Sequence, residues 1–304
     1  MSYTSLRKPR FQDLSVRELR YRITCWGESS TSPIVLLHGF MDNGATWQFL
    51  VDSLPADISV AAPDWRGFGH SAWAPGGYWF PDYLADLDAL LELLSPRTPV
   101  RIIGHSMGAN IAQMYAGIRP DRVAWLVNLE GLGLADSSAQ DAPVRYEQWL
   151  REITRPVRDR RYRSVCELAA LLAARNLRLP PDRAEFVARA WTRPVSSSEV
   201  DGEVELLFDP RHRIVNPILY RRAEVHACWD RITSPVLLIT GEESPHVRRS
   251  GATVELMEPH IGKLRKISIG GVGHMMHHEN PTAIAAEIVK FRAEHAGQAE
   301  WLSD

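Results

Sequence analysis

Residues 104–108, Gly-His-Ser-Met-Gly, have the types and spacing of a serine nucleophile held at a sharp turn. An apolar run over residues 100–103 precedes them and small residues follow, which predicts a strand, a tight turn and a helix. A serine at such a turn is exposed at the carboxyl edge of a sheet. Gly104 and Gly108 leave room where any side chain would collide with neighbouring backbone. We expect Ser106 to be a nucleophile; the alternative is a Gly- and Ser-rich surface turn.

A serine hydroxyl needs a base that removes its proton during attack, and an imidazole has a suitable pKa near neutral pH. His274 is the best placed of the eleven histidines. It follows the last predicted strand, in a loop whose glycines at 270, 271 and 273 let the chain fold back. We therefore predict that His274 is the base that serves Ser106.

The neighbouring His277 and His278 suggest a metal site by their spacing from His274. No nearby acidic or cysteine residue completes a ligand set, so the sequence predicts no metal and no cofactor. These two side chains are instead expected to begin a polar helix. His38 and His105 are interpreted as structural residues.

Short apolar runs predict the strands that position these residues. A half-buried antiparallel strand is expected over residues 14–26, and buried strands over 34–37, 58–62, 123–129, 236–240 and 264–269. Helices are expected over residues 82–94, 109–118 and 281–295. The pattern predicts an α/β fold with a mostly parallel central sheet flanked by helices.

The strand pattern stops between residues 131 and 232, where helices are predicted over 144–153, 164–175, 182–191 and 218–229. An insertion of this length is too long for a structureless loop. We predict a helical cap at 131–232 over the catalytic edge of a core formed by residues 1–130 and 233–304.

Four motifs together resemble the α/β-hydrolase fold, and the resemblance covers nearly the whole chain. They are Gly104–Gly108 around Ser106, His38-Gly39-Phe40 after a strand, Asp64 to Ser71, and Gly273-His274. The segment from His38 to Asn43 and the long middle insertion are similar to lidded serine hydrolases and esterases. Epoxide hydrolases and haloalkane dehalogenases share that layout but carry Asp as the nucleophile. Ser106 therefore disfavours both activities.

The resemblance also places an acid in the chain order Ser, acid, His. The family usually carries this acid three residues beyond the glycine that follows the strand at 236–240, but Ser244 occupies that position. Glu243 is one replacement, and Glu130, at the end of the strand at 123–129, is another. A carboxylate there would cost several kcal/mol without a partner. We favour Glu130 and keep Glu243 as the alternative acid.

An oxyanion needs two backbone N–H donors. Met107, which follows the nucleophile, is expected to supply one donor, and Phe40 the other. Asp42, Asn43 and Gly44 are interpreted as a turn with a helix cap.

Composition limits the remaining possibilities. The net charge is −2, from 35 basic and 37 acidic residues, which suggests no nucleic-acid or anionic-membrane partner. Three widely spaced cysteines argue against a disulfide framework and favour a reducing cytoplasm. The first twelve residues lack the apolar segment of a signal peptide, and no apolar run is long enough to span a membrane.

The favoured function is a serine hydrolase that cleaves a small-molecule carboxylic ester through an acyl-enzyme on Ser106. Lactone, thioester or carbon–carbon bond hydrolysis would use the same residues. A non-catalytic member of the fold that binds a small molecule is the alternative from another class. Intact Ser106 and His274 weigh against that alternative, and Ser244 at the usual acid position is its only support.

Overall fold

The computed structural model describes residues 2–28, 30, 32–155, 160–195, 202–245 and 251–296. Its centre is an eight-stranded sheet with the order β1-β2-β4-β3-β5-β6-β10-β11. The first two strands pair antiparallel, β2 pairs antiparallel with β4, and the other neighbours are parallel. The sheet strands are β1 Arg10–Val16, β2 Leu19–Trp26, β3 Ile34–Leu37, β4 Val60–Pro63, β5 Val100–His105, β6 Val123–Leu129, β10 Val236–Gly241 and β11 Leu264–Ile269.

Helices cover both faces of this sheet. Apolar side chains form one cluster on each face, and every residue of β3 and β6 is buried. Strands covered on both sides read as continuous apolar runs, which is why the sequence predicts them well. The helices are α1 Gln48–Ser53, α2 Phe80–Leu94, α3 Met107–Ile118, α4 Ala142–Ile153, α5 Val165–Arg175, α6 Pro181–Ala190, α7 Arg222–Trp229, α8 Val254–Met257, α9 Met276–Glu279 and α10 Pro281–Glu294. The expected α/β architecture with a mostly parallel central sheet is confirmed.

The single strand predicted over residues 14–26 is wrong, because the chain forms a hairpin of β1 and β2 there. Arg17 and Glu18 make the turn with φ angles of 46° and 67°. Tight hairpin turns usually carry Asn or Gly at such positions, so the residue types do not reveal this one.

The segment between β6 and β10 contains α4 to α7, but it is not wholly helical. A three-stranded antiparallel sheet of β7 Arg161–Tyr162, β8 Thr192–Pro194 and β9 Val204–Leu206 lies within it. These strands of two or three residues are too short to show a period. The helix predicted from residue 218 begins at Arg222, since the preceding chain bonds elsewhere: Ser137 N donates to Tyr220 O at 3.2 Å.

The sheet brings the ends of its parallel strands to one edge. β5 and β6 pair so that His105 lies opposite Leu129, and β6 pairs with β10 so that Leu129 lies opposite Ile239. Ser106 and Glu130 therefore leave adjacent strands at the same level. None of the helices within the described ranges is long and apolar enough to cross a membrane.

A close contact joins α3 to α7. A Cβ on Gly117 would overlap the backbone carbonyl of Cys228. Gly117→Ala should lower the free energy of unfolding by about 1–3 kcal/mol, because the two helices must separate, although Ala favours an isolated helix by about 1 kcal/mol. Urea denaturation measures this change.

Gly76→Ala is the matched control, since nothing lies within 4 Å of a Cβ there and Gly76 is exposed. Equal stabilities of the Gly117→Ala protein and the wild type would contradict this account of the α3–α7 contact.

Candidate active site

The predicted turn at Ser106 is present between β5 and α3. Ser106 has φ 50° and ψ −113°, is partly exposed, and donates its backbone N–H to Leu129 O at 2.9 Å. A Cβ on Gly104 would lie 2.6 Å from the Cα of Ala109, and one on Gly108 would overlap the carbonyl of Leu37. Glycines are therefore required on both sides of this serine.

Backbone strain is concentrated at the same edge of the sheet. Among the described residues, five other than glycine have positive φ, and two of these form the β1–β2 turn. The other three are Met41 at 62°, Ser106 at 50° and Glu130 at 55°. Ser106 and Glu130 directly follow β5 and β6, and Met41 lies in the loop after β3. Such conformations cost about 1–3 kcal/mol each and often mark functional sites.

Glu130 is fully buried and its carboxylate accepts three hydrogen bonds. Oε1 accepts from the backbone N of Gly241 at 2.8 Å, and Oε2 accepts from Ser244 Oγ at 2.7 Å and from His274 Nδ1 at 2.7 Å. These donors offset the desolvation of the charge. The structure thus gives Glu130 the partner that a carboxylate at the end of an apolar strand requires.

His274 lies in the loop after β11, between Glu130 and the serine turn. Its backbone carbonyl accepts from His105 Nε2 at 2.8 Å, and the centroids of these two imidazole rings are 4.7 Å apart. Because Nδ1 faces a carboxylate, it carries the proton of the neutral ring. Nε2 then carries the lone pair that a general base needs.

Glu243, the alternative acid, is exposed to solvent, and its backbone N donates to Val272 O at 3.0 Å. The structure therefore brings Glu130, and not Glu243, to His274. The sequence did not reveal that Ser244 is a hydrogen-bond donor to Glu130. A serine at the usual acid position looks like a loss, but its hydroxyl donates to the carboxylate on the neighbouring strand.

The chain segments expected to supply the two oxyanion donors pass beside Ser106. Met107 is the first residue of α3, where backbone N–H groups have no partner within the helix. A Cβ on Gly39 would lie 3.2 Å from the Cβ of Ser106, so the chain that leads into Phe40 passes next to the serine. The Phe40 ring is 48% exposed and packs edge-on against Phe208 at a centroid distance of 5.7 Å.

His38 holds the start of this loop. Its Nδ1–H donates to Gly39 O at 2.7 Å, and its Nε2 accepts from Trp65 N at 2.9 Å. Burial lowers the pKa of His38 to about 4, so the ring stays neutral near pH 7.

His277 and His278 do not begin a polar helix as expected. They lie on α9 with exposed fractions of 0% and 2%, and they face Asp42, which is also buried. Burial lowers the pKa of His278 to about 3, so this ring is neutral near pH 7. The expectation that no acid lies near these histidines is wrong, because Asp42 reaches them from the loop after β3.

The fold and the sequence both match a known family. The sequence model of the alpha/beta hydrolase fold family matches residues 32–281, and the chain belongs to this family. Its relatives and structural neighbours include proteins named serine hydrolase-like, esterase and thioesterase.

Individual relatives match over most of the chain. A serine hydrolase-like protein of Dictyostelium discoideum is 30% identical over 283 residues, which cover 88% of this chain and 77% of the relative. Lipase LipV of Mycobacterium tuberculosis is 29% identical over 280 residues, 86% of this chain and 94% of the relative. The solved thioesterase domain from the curacin biosynthetic pathway has a TM-score of 0.82 at 22% identity and covers 93% of this chain and 99% of its own.

The strain at Ser106 gives a stability prediction. Ser106→Gly should be about 1 kcal/mol more stable than Ser106→Ala. Removing the Cβ relieves about 1–3 kcal/mol of backbone strain in the folded state. The greater entropy of the unfolded glycine chain offsets about 0.4–1 kcal/mol of this gain. Urea denaturation of both variants measures the difference.

Ala174→Gly, at an exposed position of α5, is the control and should lose about 1 kcal/mol. The strain account fails if Ser106→Gly is no more stable than Ser106→Ala.

Proposed function

We propose that this protein is a serine hydrolase that cleaves a carboxylic ester through an acyl-enzyme on Ser106. His274 acts as base and then as acid, and Glu130 orients it. The observation that carries the proposal is the 2.7 Å hydrogen bond between His274 Nδ1 and the buried Glu130 carboxylate, at the edge of the sheet where Ser106 is partly exposed. Family membership supports the same reaction class.

In the acylation step, Ser106 Oγ attacks the carbonyl carbon of the ester. A C–O bond forms, the carbonyl electron pair moves onto oxygen, and the serine proton passes to His274 Nε2. Glu130 stays ionised and stabilises the imidazolium through the Nδ1–H bond. The backbone N–H groups of Phe40 and Met107 then stabilise the oxyanion.

Collapse of the tetrahedral intermediate breaks the bond to the alcohol, which takes the proton from His274 Nε2. Water attacks the acyl group on Ser106, and His274 accepts a proton from it as before. The carboxylic acid leaves, and Ser106 recovers its proton.

We also propose that residues 131–232 form a cap on a core of residues 1–130 and 233–304, and that the cap influences substrate choice. Contacts with the loops at the sheet edge support this. Asn43 Nδ2 donates to Ala190 O at 2.6 Å, and Arg183 Nη1 donates to His278 O at 2.7 Å. Phe208 packs against the half-exposed ring of Phe40, so the insertion reaches an apolar side chain next to the expected oxyanion donor.

The identity of the nucleophile can be tested with chromogenic short-chain esters. Ser106→Ala should lower turnover by roughly 10⁴- to 10⁶-fold and abolish labelling by a fluorophosphonate, since no acyl-enzyme can form. Ser234→Ala is the control: its buried hydroxyl lies just before β10, at the opposite edge of the sheet. Labelling of Ser106→Ala as strong as that of the wild type would exclude Ser106 as the acylated residue.

The two glutamates make a matched pair for testing the acid. Glu130→Gln nearly preserves shape but removes the charge, so turnover should fall by roughly 10³- to 10⁴-fold. Glu243→Gln, at an exposed position, should stay within a few-fold of the wild type. Steady-state kinetics on one ester decide the assignment; an active Glu130→Gln with an inactive Glu243→Gln would reverse it.

A further inference from the structure

A second group of polar side chains is buried behind the proposed active site. It consists of Asp42 from the loop after β3, His105 from the serine turn, and His277 and His278 from α9. Their exposed fractions are at most 3%. The proposed hydrolysis uses none of these side chains.

The two oxygens of Asp42 differ sharply. Oδ1 accepts from Thr46 Oγ1 at 2.6 Å, from Asn43 N at 2.9 Å and from Trp191 Nε1 at 2.9 Å. Oδ2 has no hydrogen-bond partner among the described residues. The carboxylate is thus fixed in orientation by one oxygen while the other keeps its lone pairs. Outer hydrogen bonds of this kind orient metal ligands in proteins.

His105 is oriented in the same way. Its Nε2 faces the carbonyl of His274 at 2.8 Å, and a carbonyl only accepts, so Nε2 carries the proton. Nδ1 then has a lone pair, and it too lacks a hydrogen-bond partner among the described residues. A neutral imidazole whose far N–H is bound to a carbonyl is the usual form of a histidine ligand.

The distances from Asp42 to the two imidazoles of α9 match those between ligands of a shared ion. Asp42 Oδ2 lies 3.5 Å from His277 Nε2 and 3.6 Å from His278 Nε2. These distances are long for hydrogen bonds, but two ligands of one tetrahedral ion with bonds of about 2.0–2.2 Å lie about 3.3–3.6 Å apart. One ligand atom each from Asp42, His105 and His277 lies within 4.8 Å of the other two.

The negative charge of the buried Asp42 carboxylate also favours a bound cation. Within the described part of the chain, the basic groups at ion-pair distance from Asp42 are the imidazoles of His277 and His278, with no Lys or Arg. A buried carboxylate without a cation is costly.

We propose that Asp42, His105 and His277 form a binding site for a divalent transition metal ion, with His278 beside it. Two imidazoles and one carboxylate favour Zn²⁺, Co²⁺ or Ni²⁺ over Mg²⁺ and Ca²⁺, which prefer all-oxygen sites. The ion would join the loop after β3, the serine turn and α9, and would therefore stabilise the fold. Because the ligands are buried, loading requires local opening and is slow.

Metal content and Co²⁺ binding test the site in the intact chain. Chelator-treated protein, equilibrated overnight with Co²⁺, should bind one ion per chain with the visible absorption of a low-coordinate Co²⁺ site. Its melting temperature should rise with the logarithm of free Co²⁺, whereas Mg²⁺ should produce neither effect. Ser106→Ala should bind Co²⁺ equally well, so this result is independent of the hydrolase proposal.

Asp42→Asn and His277→Gln should each lose this binding. The partly exposed group of His226, Asp230 and His260 provides the matched control. His260 Nδ1 lies 2.8 Å from Asp230 Oδ1, and 3.9 Å separates the centroids of the His226 and His260 rings. His260→Gln should leave Co²⁺ binding unchanged.

Anomalous diffraction from Co²⁺-loaded wild-type crystals needs no variant and should place a peak between Asp42 Oδ2, His105 Nδ1 and His277. The proposal is overturned if the wild type binds no Co²⁺, if His260→Gln removes the binding, or if the anomalous peak lies elsewhere.

Discussion

The arrangement of the proposed active site depends on the buried carboxylate of Glu130. A fully desolvated charge is tolerated only when donors surround it, and Gly241, Ser244 and His274 supply them from β10 and from the loops that follow β10 and β11. The same bonds fix the tautomer of His274. The stability of this edge and the proposed role of its histidine as a base therefore have one physical origin.

Backbone strain works together with this carboxylate. Ser106 and Glu130 are adjacent across β5 and β6, and both have positive φ angles that a side chain adopts only at a cost. At each of these residues the chain leaves its strand, and a polar side chain lies at the edge of the sheet. The packing of strands that are buried on both faces offsets the cost of these two turns, because the apolar clusters on either side hold the strand ends in register.

The loop after β3 connects the site to the rest of the molecule. Asp42 accepts from Trp191 of the insertion and faces the imidazoles of α9, while Gly39, three residues earlier, touches the serine turn. A change at this buried acid would thus reach the insertion and the proposed oxyanion loop together. The proposed metal ion would stabilise the same junction, behind the groups proposed to react.

The sequence by itself determined the strands with continuous apolar runs, the glycine-flanked Ser106 and the glycine-rich loop before His274, because each depends on local composition and sterics. It also limited the acid to Glu130 or Glu243. Only the tertiary structure decided which of these carboxylates meets His274, since that depends on strand order: β6 lies between β5 and β10, and Glu243 turns to solvent. The β1–β2 turn, the short sheet in the insertion and the contact of Asp42 with His277 were equally hidden. The short sheet and the contact of Asp42 arise from pairings between residues far apart in the chain, which no local pattern records. The β1–β2 turn is local, but its residues are not the Asn or Gly that usually mark such a turn.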